Sequence, residues 1–216
     1  MELEVLDTRE KLAVVAVRLF SEKGFNGTSI RDIAKEMGMS ISNIYHYFGS
    51  KEGVLLEALR RAVEKLLGDL EFVAQLDLPP LLRMKLLVER HLLYCGKNLD
   101  LAKIYFLELQ DVSAEALEYS KKAQRDVYAI YRKELGALQQ AGFLKGRNLT
   151  AVAYSIFGVI NWFAKWYRPE GTLSFDDAVK EVFRFIWTGS FGFVDPAAEA
   201  AMTDAAAPER HVANVS

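Results

Sequence analysis

The chain has 216 residues, of which 51% are hydrophobic, and its formal net charge is −2 at pH 7. This length and apolar content suffice for one large or two small folded domains and exclude a mainly disordered chain. No apolar run approaches the roughly 20 residues that span a bilayer, no signal segment opens the chain, and the lone Cys95 cannot form an internal disulfide. We therefore expect a soluble, cytoplasmic protein without a membrane partner.

The first forty residues predict two helices and a tight turn. Apolar residues recur at helical spacing over residues 8–22, and Gly24 is placed to end this first helix. Thr28 is the expected N-cap of a second helix over residues 30–37, because its hydroxyl can accept a bond from a free backbone N–H. Gly38 then supplies the backbone freedom that a tight turn requires.

A third predicted helix, capped by Ser40 and covering residues 41–47, completes a helix-turn-helix pattern. In such a unit the second helix of the pair can enter the major groove of DNA. Ile41 and Ile44 face inward, so polar side chains are left to reach phosphate oxygens and base edges. Lys51 opens the next helix, where its charge and the free N–H groups could hold a phosphate. The candidate DNA-binding residues are Thr28, Ser29, Arg31, Ser40, Ser42, Asn43, Tyr45, His46, Tyr47 and Lys51.

The charge of this region predicts that few ionic contacts reach DNA. Residues 1–61 carry nine Lys and Arg against nine Asp and Glu, whereas nucleic-acid-binding proteins usually show a basic patch. We expect hydroxyls, backbone amides and helix N-termini to supply most phosphate contacts, with Lys51 and Arg31 as the main cations. Binding should then depend only weakly on salt, since few counterions are released.

One continuous stretch carries a family resemblance. It comprises AVRLF at 16–20, GF at 24–25, TSIRDIA at 28–34, Gly38 and IYHYFGSKE at 44–52. Over roughly residues 8–55 the sequence resembles the DNA-binding domain of the TetR family of bacterial transcriptional regulators. The resemblance implies a helical second domain that binds an effector and dimerises.

The remainder of the chain also predicts helices only. A long helix from Lys51 to about residue 75 has one continuous apolar side, and Pro79 and Pro80 end it. Further helices are predicted over 81–94, before a break at Gly96 and Asn98, and over 101–110, 113–140, 149–167 and 175–190. We therefore expect an all-α protein of about nine helices. Its parts are a helix-turn-helix domain at 6–52, an effector-binding and dimerisation domain at 53–194, and a disordered tail at 195–216.

The last two predicted helices have more apolar surface than one chain needs, which favours pairing with a second copy. Glycine in a helix costs about 1 kcal/mol relative to alanine, so Gly158 favours a close backbone approach. In the TetR family these helices form a four-helix dimer interface, which this pair resembles; an inner core of a monomer is the alternative. The expected interface residues are Tyr154, Gly158, Trp166, Val179, Phe183, Ile186 and Trp187.

Aromatic side chains with a few polar tips are frequent over residues 90–165, as a pocket for a large apolar ligand requires. Any aromatic-rich helical core contains similar residues, so each is also a candidate core residue. The candidate ligand-binding residues are Tyr94, Phe106, Gln110, Tyr128, Tyr131, Phe157, Asn161 and Trp162.

The segment NWFAKWYRP at 161–169 resembles a C-terminal signature of certain TetR-family members. Members similar at its end include repressors of lipid catabolism that respond to acyl-CoA thioesters, which implies an acyl-CoA effector here. Cations for its phosphates are available at Lys97, Lys103, Lys121, Lys122, Arg125 and Lys165. A multidrug-type repressor that senses other hydrophobic compounds is the alternative.

The pattern of catalytic residue types argues against an enzyme. His46, His91 and His211 are far apart in sequence, no cluster has metal-ligand spacing, and no glycine-rich phosphate loop or nucleophile elbow occurs. We expect no catalytic residues, no metal and no cofactor. The predicted function is a homodimeric, ligand-responsive repressor of a palindromic DNA operator; an architectural DNA-binding protein without an effector is a further alternative.

Overall fold

A computed structural model describes residues 8–107 and 114–191, and within these ranges the chain forms nine α-helices and no strand. The all-α prediction is therefore confirmed, while the predicted tail lies outside the described residues. Among the helices described, none has both the length and the hydrophobicity that crossing a bilayer requires. The helices are α1 (Thr8–Lys23), α2 (Ile30–Met37), α3 (Ile41–Phe48), α4 (Lys51–Ala74), α5 (Pro80–Lys97), α6 (Leu99–Leu107), α7 (Ala114–Gln140), α8 (Leu149–Trp166) and α9 (Phe175–Phe191).

The first core is built by α1, α2, α3 and the beginning of α4. Phe20, Ile33 and Ile44 are completely buried in it, and full burial of a side chain of this size contributes about 1.5–3 kcal/mol. Ile104 from α6 and Ala116 from α7 belong to the same core. The N-terminal helices therefore pack directly against elements of the second half of the chain.

The start of α2 differs from the prediction. Ser29, and not Thr28, is the N-cap: its hydroxyl accepts from the Asp32 N–H at 3.1 Å, and the Asp32 carboxylate accepts from the Ser29 N–H at 2.9 Å. The Ser29 hydroxyl also donates to this carboxylate, and together with the Ser29 N–H it lowers the pKa of Asp32. Thr28 is only 1% exposed, and its hydroxyl is 3.0 Å from both the Leu19 and the Gly24 carbonyl oxygens. The capping pattern fits only from Ser29, because the acidic residue must lie three positions after the cap.

The turns on either side of α3 agree with the sequence. Gly38 adopts the left-handed conformation, with φ 62°, and lets the chain turn between α2 and α3. Ser40 caps α3 by accepting from the Asn43 N–H at 3.2 Å, and Ser50 caps α4 by accepting from the Gly53 N–H at 3.0 Å. The orientation of α3 is thus fixed at both ends by local hydrogen bonds.

The second core is formed by α5, α7, α8, α9 and the second half of α4. Leu70 and Val73 of α4 are buried in it, whereas Val54 and Leu55 of the same helix are buried in the first core. One unbroken helix of 24 residues therefore belongs to both halves of the molecule. The domain boundary predicted between residues 52 and 53 falls in its first turn.

The fifth helix extends beyond its predicted end at residue 94, continuing to Lys97. Gly96 does not break it, because the residue is buried where α5 meets α8 and α9. A Cβ atom at Gly96 would lie 2.6 Å from Phe175 Cε2 and 2.9 Å from Phe163 Cε1. Glycine is required here for close packing, so the predicted break occurs at Asn98, the C-cap, and not at Gly96.

A buried ion pair links α5 to α7. The Arg83 Nε donates to Glu134 Oε2 at 2.9 Å, and the same guanidinium also donates to the Leu78 carbonyl. Glu134 is only 1% exposed. A carboxylate buried to this extent is tolerated only because a cation and its hydrogen bond compensate the lost hydration.

Candidate nucleic-acid interface and ligand cavity

The exposed face of α3 is the candidate nucleic-acid interface. Ile44 anchors the helix in the first core, which leaves an amide, hydroxyls and polar-tipped rings facing outward. Such groups can bond to phosphate oxygens and base edges. The exposed candidates on and beside this helix are Ser40, Ser42, Asn43, Tyr45, His46 and Tyr47. Their contacts with DNA remain a prediction.

Lys51 has a structural role in place of the predicted phosphate contact. Its Nζ donates to the Phe25 and Thr28 carbonyl oxygens at 2.8 and 2.9 Å and lies 4.3 Å from the centroid of the Phe25 ring. These contacts join the start of α4 to the segment between α1 and α2. Lys51 therefore positions α4 beneath the helix-turn-helix.

The side chains of two further candidates also form hydrogen bonds within the chain. The buried Thr28 hydroxyl cannot reach a ligand, so its prediction as a DNA contact was wrong. Ser29 is exposed, but its hydroxyl is engaged with the Asp32 carboxylate. Arg31 of α2 is exposed and makes no ion pair among the described residues, so it is the cation of the predicted set that stays available.

A cavity of about 560 Å³ opens between α4, α5, α6, α7 and α8. Its walls are mostly apolar and aromatic, as small-molecule sites usually are. Of the residues predicted to bind a ligand, the ones that line it are Tyr94, Tyr128, Phe157 and Asn161. The structure thus brings together side chains from three helices that are far apart in sequence.

Two other ligand candidates that the structure describes, Tyr131 and Trp162, do not line the cavity. Tyr131 is completely buried behind it, and Trp162 is 58% exposed on the outer face of α8, where Lys165 Nζ lies 4.5 Å from its ring centroid. Neither side chain therefore contacts this cavity. Gln110 and the side chain of Phe106 lie outside the described residues.

The sequence interpretation missed one face of α5 and one of α4. His91, Cys95 and Asn98 line the cavity beside Tyr94. Their spacing from His91 is i, i+3, i+4 and i+7, so they share a helix face. This mixture of polar and aromatic residues on one face was the available signal. The apolar residues that α4 contributes are Leu59, Ala62, Val63 and Leu66.

The inner cavity is uncharged and its opening is cationic. Burial lowers the pKa of His91 to about 4 and raises the pKa of Cys95 to about 12, so both are neutral near pH 7. Burial also raises the pKa of Tyr94, which keeps its hydroxyl protonated. The exposed Lys121 and Arg125 line the opening. Among the described residues, no group of three or more His, Cys, Asp or Glu side chains could hold a metal ion.

The cavity is linked to the N-terminal helices by direct contacts. The Tyr94 hydroxyl donates to the Ala62 carbonyl of α4 at 2.8 Å. On the other side, α6 lies against α1, where the Ser21 hydroxyl donates to Asp100 Oδ1 at 2.7 Å. The walls of the cavity therefore also support the helix-turn-helix.

The predicted dimer residues divide into exposed and buried groups. Tyr154, Gly158 and Trp166 lie on the exposed face of α8 together with Trp162, and a Cβ at Gly158 would meet no atom within 4 Å. Ile186 is 2% exposed because it packs into the second core, so its assignment to an interface was wrong. The half-buried members are Val179, Phe183 and Trp187.

Several known proteins are similar to this chain over most of its length. The transcriptional repressor KstR2 of Rhodococcus jostii is 26% identical over 183 residues, which cover 84% of this chain and 90% of that protein. The solved structure of KstR2, a ketosteroid transcriptional regulator of Mycobacterium tuberculosis, has a TM-score of 0.77 at 23% identity and covers 86% of this chain and 96% of that one. The solved complex of AibR with isovaleryl coenzyme A and operator DNA has a TM-score of 0.73 at 18% identity, covering 86% and 99%.

Two family descriptions match the chain itself. Residues 12–58 match the bacterial regulatory proteins of the tetR family, and residues 77–190, more than half of the chain, match the tetracyclin repressor-like C-terminal domain. The first match contains the helix-turn-helix, and the second contains most of the helices that surround the cavity. The chain therefore belongs to the TetR family of bacterial regulatory proteins.

Proposed function

We propose that this protein is a homodimeric transcriptional repressor that binds a palindromic operator and leaves it when an acyl-CoA thioester binds. The observation that carries the proposal is the cavity of about 560 Å³, apolar within and lined at its opening by Lys121 and Arg125. One of its walls is α4, the helix that begins beneath the reader helix α3.

The charge distribution favours an effector with an apolar body and an anionic end. The inner groups His91, Tyr94 and Cys95 are neutral, so an apolar chain or ring system can enter without meeting an unpaired charge. Lys121 is paired with Glu118 at 2.7 Å, whereas Arg125 makes no ion pair among the described residues. Arg125 is therefore the stronger candidate for a phosphate contact, since guanidinium groups bind phosphate oxygens in a bidentate manner.

The similar proteins support this ligand class. AibR was solved with isovaleryl coenzyme A and operator DNA together, and KstR2 is described as a ketosteroid transcriptional regulator. An acyl-CoA thioester combines the features that the cavity favours, namely an apolar acyl group and a phosphate-bearing end.

The dimer is proposed from the outer surface of α8 and α9. Large apolar side chains that remain exposed in one chain indicate a surface that a partner covers. A twofold pair of such surfaces would place two α3 helices on successive major grooves, which requires an operator with matching half-sites. The exposed rings are those of Tyr154, Trp162, Trp166 and Phe185.

Effector release is proposed to act through α4. Residues 6–52 would form the DNA-reading domain and residues 53–194 the domain for effector binding and dimerisation, with α4 running from one into the other. A ligand that displaces the cavity half of α4 changes the position of α3, because Lys51 holds the first turn of α4 to the helix-turn-helix. The ligand lowers operator affinity only insofar as it binds the displaced arrangement more tightly.

The test uses the full chain. Sedimentation should give a dimer, selection from random DNA should return a palindrome, and acyl-CoA thioesters should raise the melting temperature and release the selected DNA. Arg125→Gln should weaken acyl-CoA binding roughly two- to fivefold. Lys145→Gln, which removes an exposed cation outside the cavity, should leave it unchanged. Release by cationic dyes but by no acyl-CoA would favour a multidrug-type repressor instead.

A further inference from the structure

We propose that His91 selects effectors that carry a hydroxyl or N–H group on their buried portion, because its Nε2 faces the cavity as a hydrogen-bond acceptor. The inference rests on the cavity being the effector site, as proposed above. It adds a chemical requirement within the cavity that neither its apolar walls nor its cationic opening imposes.

The hydrogen bonds of Tyr131 determine which nitrogen of His91 carries the proton. The Tyr131 hydroxyl lies 3.3 Å from the Leu87 carbonyl oxygen and 3.2 Å from His91 Nδ1. A hydroxyl has one hydrogen, and the carbonyl can only accept. Both contacts are hydrogen bonds only when Tyr131 donates to Leu87 and His91 Nδ1–H donates to Tyr131. Neutral His91 then has an unprotonated Nε2.

The accessible surface of His91 places Nε2 at the cavity. Among the described residues no buried side-chain nitrogen or oxygen lacks a hydrogen-bond partner. Among the residues that the structure describes, His91 has a side-chain hydrogen-bond partner at Nδ1 and none at Nε2, so Nε2 must be accessible. The side chain is otherwise enclosed by the rings of Tyr131 and Phe157, with centroids 5.8 and 6.0 Å away, and it lines the cavity. The accessible atom therefore faces the space that an effector would occupy.

Burial keeps this acceptor in place at working pH. The pKa of His91 is lowered to about 4, so the ring is not protonated on both nitrogens near neutrality. Tyr94, three residues further along α5, lines the same cavity and uses its hydroxyl hydrogen on the Ala62 carbonyl, so toward a ligand its oxygen can act only as an acceptor. The inner wall thus presents two acceptors and favours ligands with donors.

A ligand without a hydrogen-bond donor should bind to this site more weakly. A saturated chain leaves Nε2 unpaired in an apolar site, and a ketone places a second acceptor against it. A site built to hydrogen-bond a hydroxyl discriminates strongly against an analogue that lacks one, because the site's own polar group loses its partner. We therefore expect His91 to discriminate ligands by the functional group on their apolar portion.

The first test needs no ligand. In a long-range proton–nitrogen spectrum of the full-length, nitrogen-15-labelled protein, the ring nitrogens of His91 should show a protonated Nδ1 and an unprotonated Nε2. The His91→Phe variant assigns the signals among the three histidines. A proton on Nε2 instead would overturn the proposal.

The second test compares two neutral probes with one carbon skeleton, 2-octanol and 2-octanone, as competitors of a fluorescent dye bound to the full chain. Wild type should prefer the alcohol by about three- to tenfold, the worth of one hydrogen bond. Tyr131→Phe frees His91 to change its protonated nitrogen, so the preference should fall below twofold. Tyr119→Phe, whose hydroxyl contacts the Arg60 carbonyl outside the cavity, should keep it.

Tyr131→Phe keeps the buried ring and so guards against a variant that fails to fold. Equal binding of both probes to wild type, or binding of neither, would overturn the role of His91. Because the probes carry no charge, these results are independent of the acyl-CoA proposal. A preference for the alcohol without any acyl-CoA binding would refute the proposed effector class and leave the role of His91 intact.

Discussion

The two halves of the molecule use their polar residues in opposite ways. In the N-terminal half Thr28, Ser29 and Lys51 bond to the chain itself and fix the geometry of the helix-turn-helix. Around the cavity, His91 and Tyr94 also bond to the chain, but both residues line the open space. The first arrangement fixes the shape of a reading surface, and the second prepares a chemical contact.

This difference shows why a sequence pattern identifies the fold more securely than it identifies the residues that contact DNA. Several polar residues in the stretch that resembles the TetR family are required to build the reader, and only those on the outer face of α3 remain for DNA. The family resemblance predicts both groups together. The hydrogen bonds are needed to separate them.

The largest expected effect tests whether the C-terminal half also depends on a polar group for its structure. Arg83→Met removes the partner of a Glu134 carboxylate that is almost fully buried. The free energy of unfolding should fall by about 3–5 kcal/mol. Arg184→Met breaks an exposed ion pair with Glu181 and should cost less than about 1 kcal/mol. Denaturant titrations at one protein concentration measure both, and equal losses would contradict the assignment.

The second prediction concerns pH and His91. As the pH falls below 6.5 the unfolded chain protonates this histidine, whereas the folded chain does so only near pH 4. Stability contributed by neutral His91 is therefore complete above pH 6.5 and declines toward pH 4, by about 3 kcal/mol at most. His91→Phe should lack this part of the decline. Denaturant titrations of both proteins at pH 7 and pH 4.5 measure how much stability each loses. An equal loss in wild type and His91→Phe would contradict the prediction.

The third prediction separates a structural lysine from a phosphate contact. Lys51→Met loses two hydrogen bonds from an ammonium group to carbonyl oxygens, so the free energy of unfolding should fall by roughly 1.5–3 kcal/mol. The salt dependence of DNA binding should stay the same. The exposed Arg31 is the matched control: Arg31→Met should leave stability unchanged and reduce the salt slope by about 1. If Lys51→Met also reduced the salt slope of DNA binding, Lys51 would have to be assigned a phosphate contact after all.

The smallest effect concerns base reading by α3. Asn43→Ala should reduce the preference for the selected operator over scrambled DNA, with about 1–3 kcal/mol lost for a bidentate contact to a base. Tyr45→Ala should weaken binding to both DNAs alike, because a phenol hydroxyl that contacts phosphate carries no sequence information. Competition gel shifts on the two DNAs decide the matter. Unchanged selectivity of Asn43→Ala would remove this residue from base reading.

Much of the fold could be predicted because apolar spacing and caps are local signals. Gly38 and Ser40 mark the turn between α2 and α3 as predicted, whereas the prolines at 79 and 80 begin α5 and α4 already ends at Ala74. The break predicted at Gly96 was wrong, because a glycine that ends a helix and one that lets two helices pack closely look the same in the sequence. Only the position of Phe163 and Phe175 distinguishes the two cases.

The site was less predictable, because burial depends on contacts between distant residues. Tyr131 is an aromatic residue with a polar tip, which is a residue type typical of ligand contacts, and Ile186 is an apolar residue expected at an interface. Both are buried in the second core. Conversely, the only sequence signal for His91 was the helix face that it shares with Tyr94, and its hydrogen bond to Tyr131 becomes visible only in the structure. Nothing in the local sequence places a residue from α7 next to one from α5.

The membership of α4 in both cores has a consequence for the effector as well as for DNA. Equilibrium linkage requires that an effector which lowers operator affinity by some factor has its own affinity lowered by operator DNA by the same factor. Protein already bound to its operator should therefore sense the effector less readily than free protein does. The concentration at which the proposed repressor responds would then rise with the number of operators that are occupied.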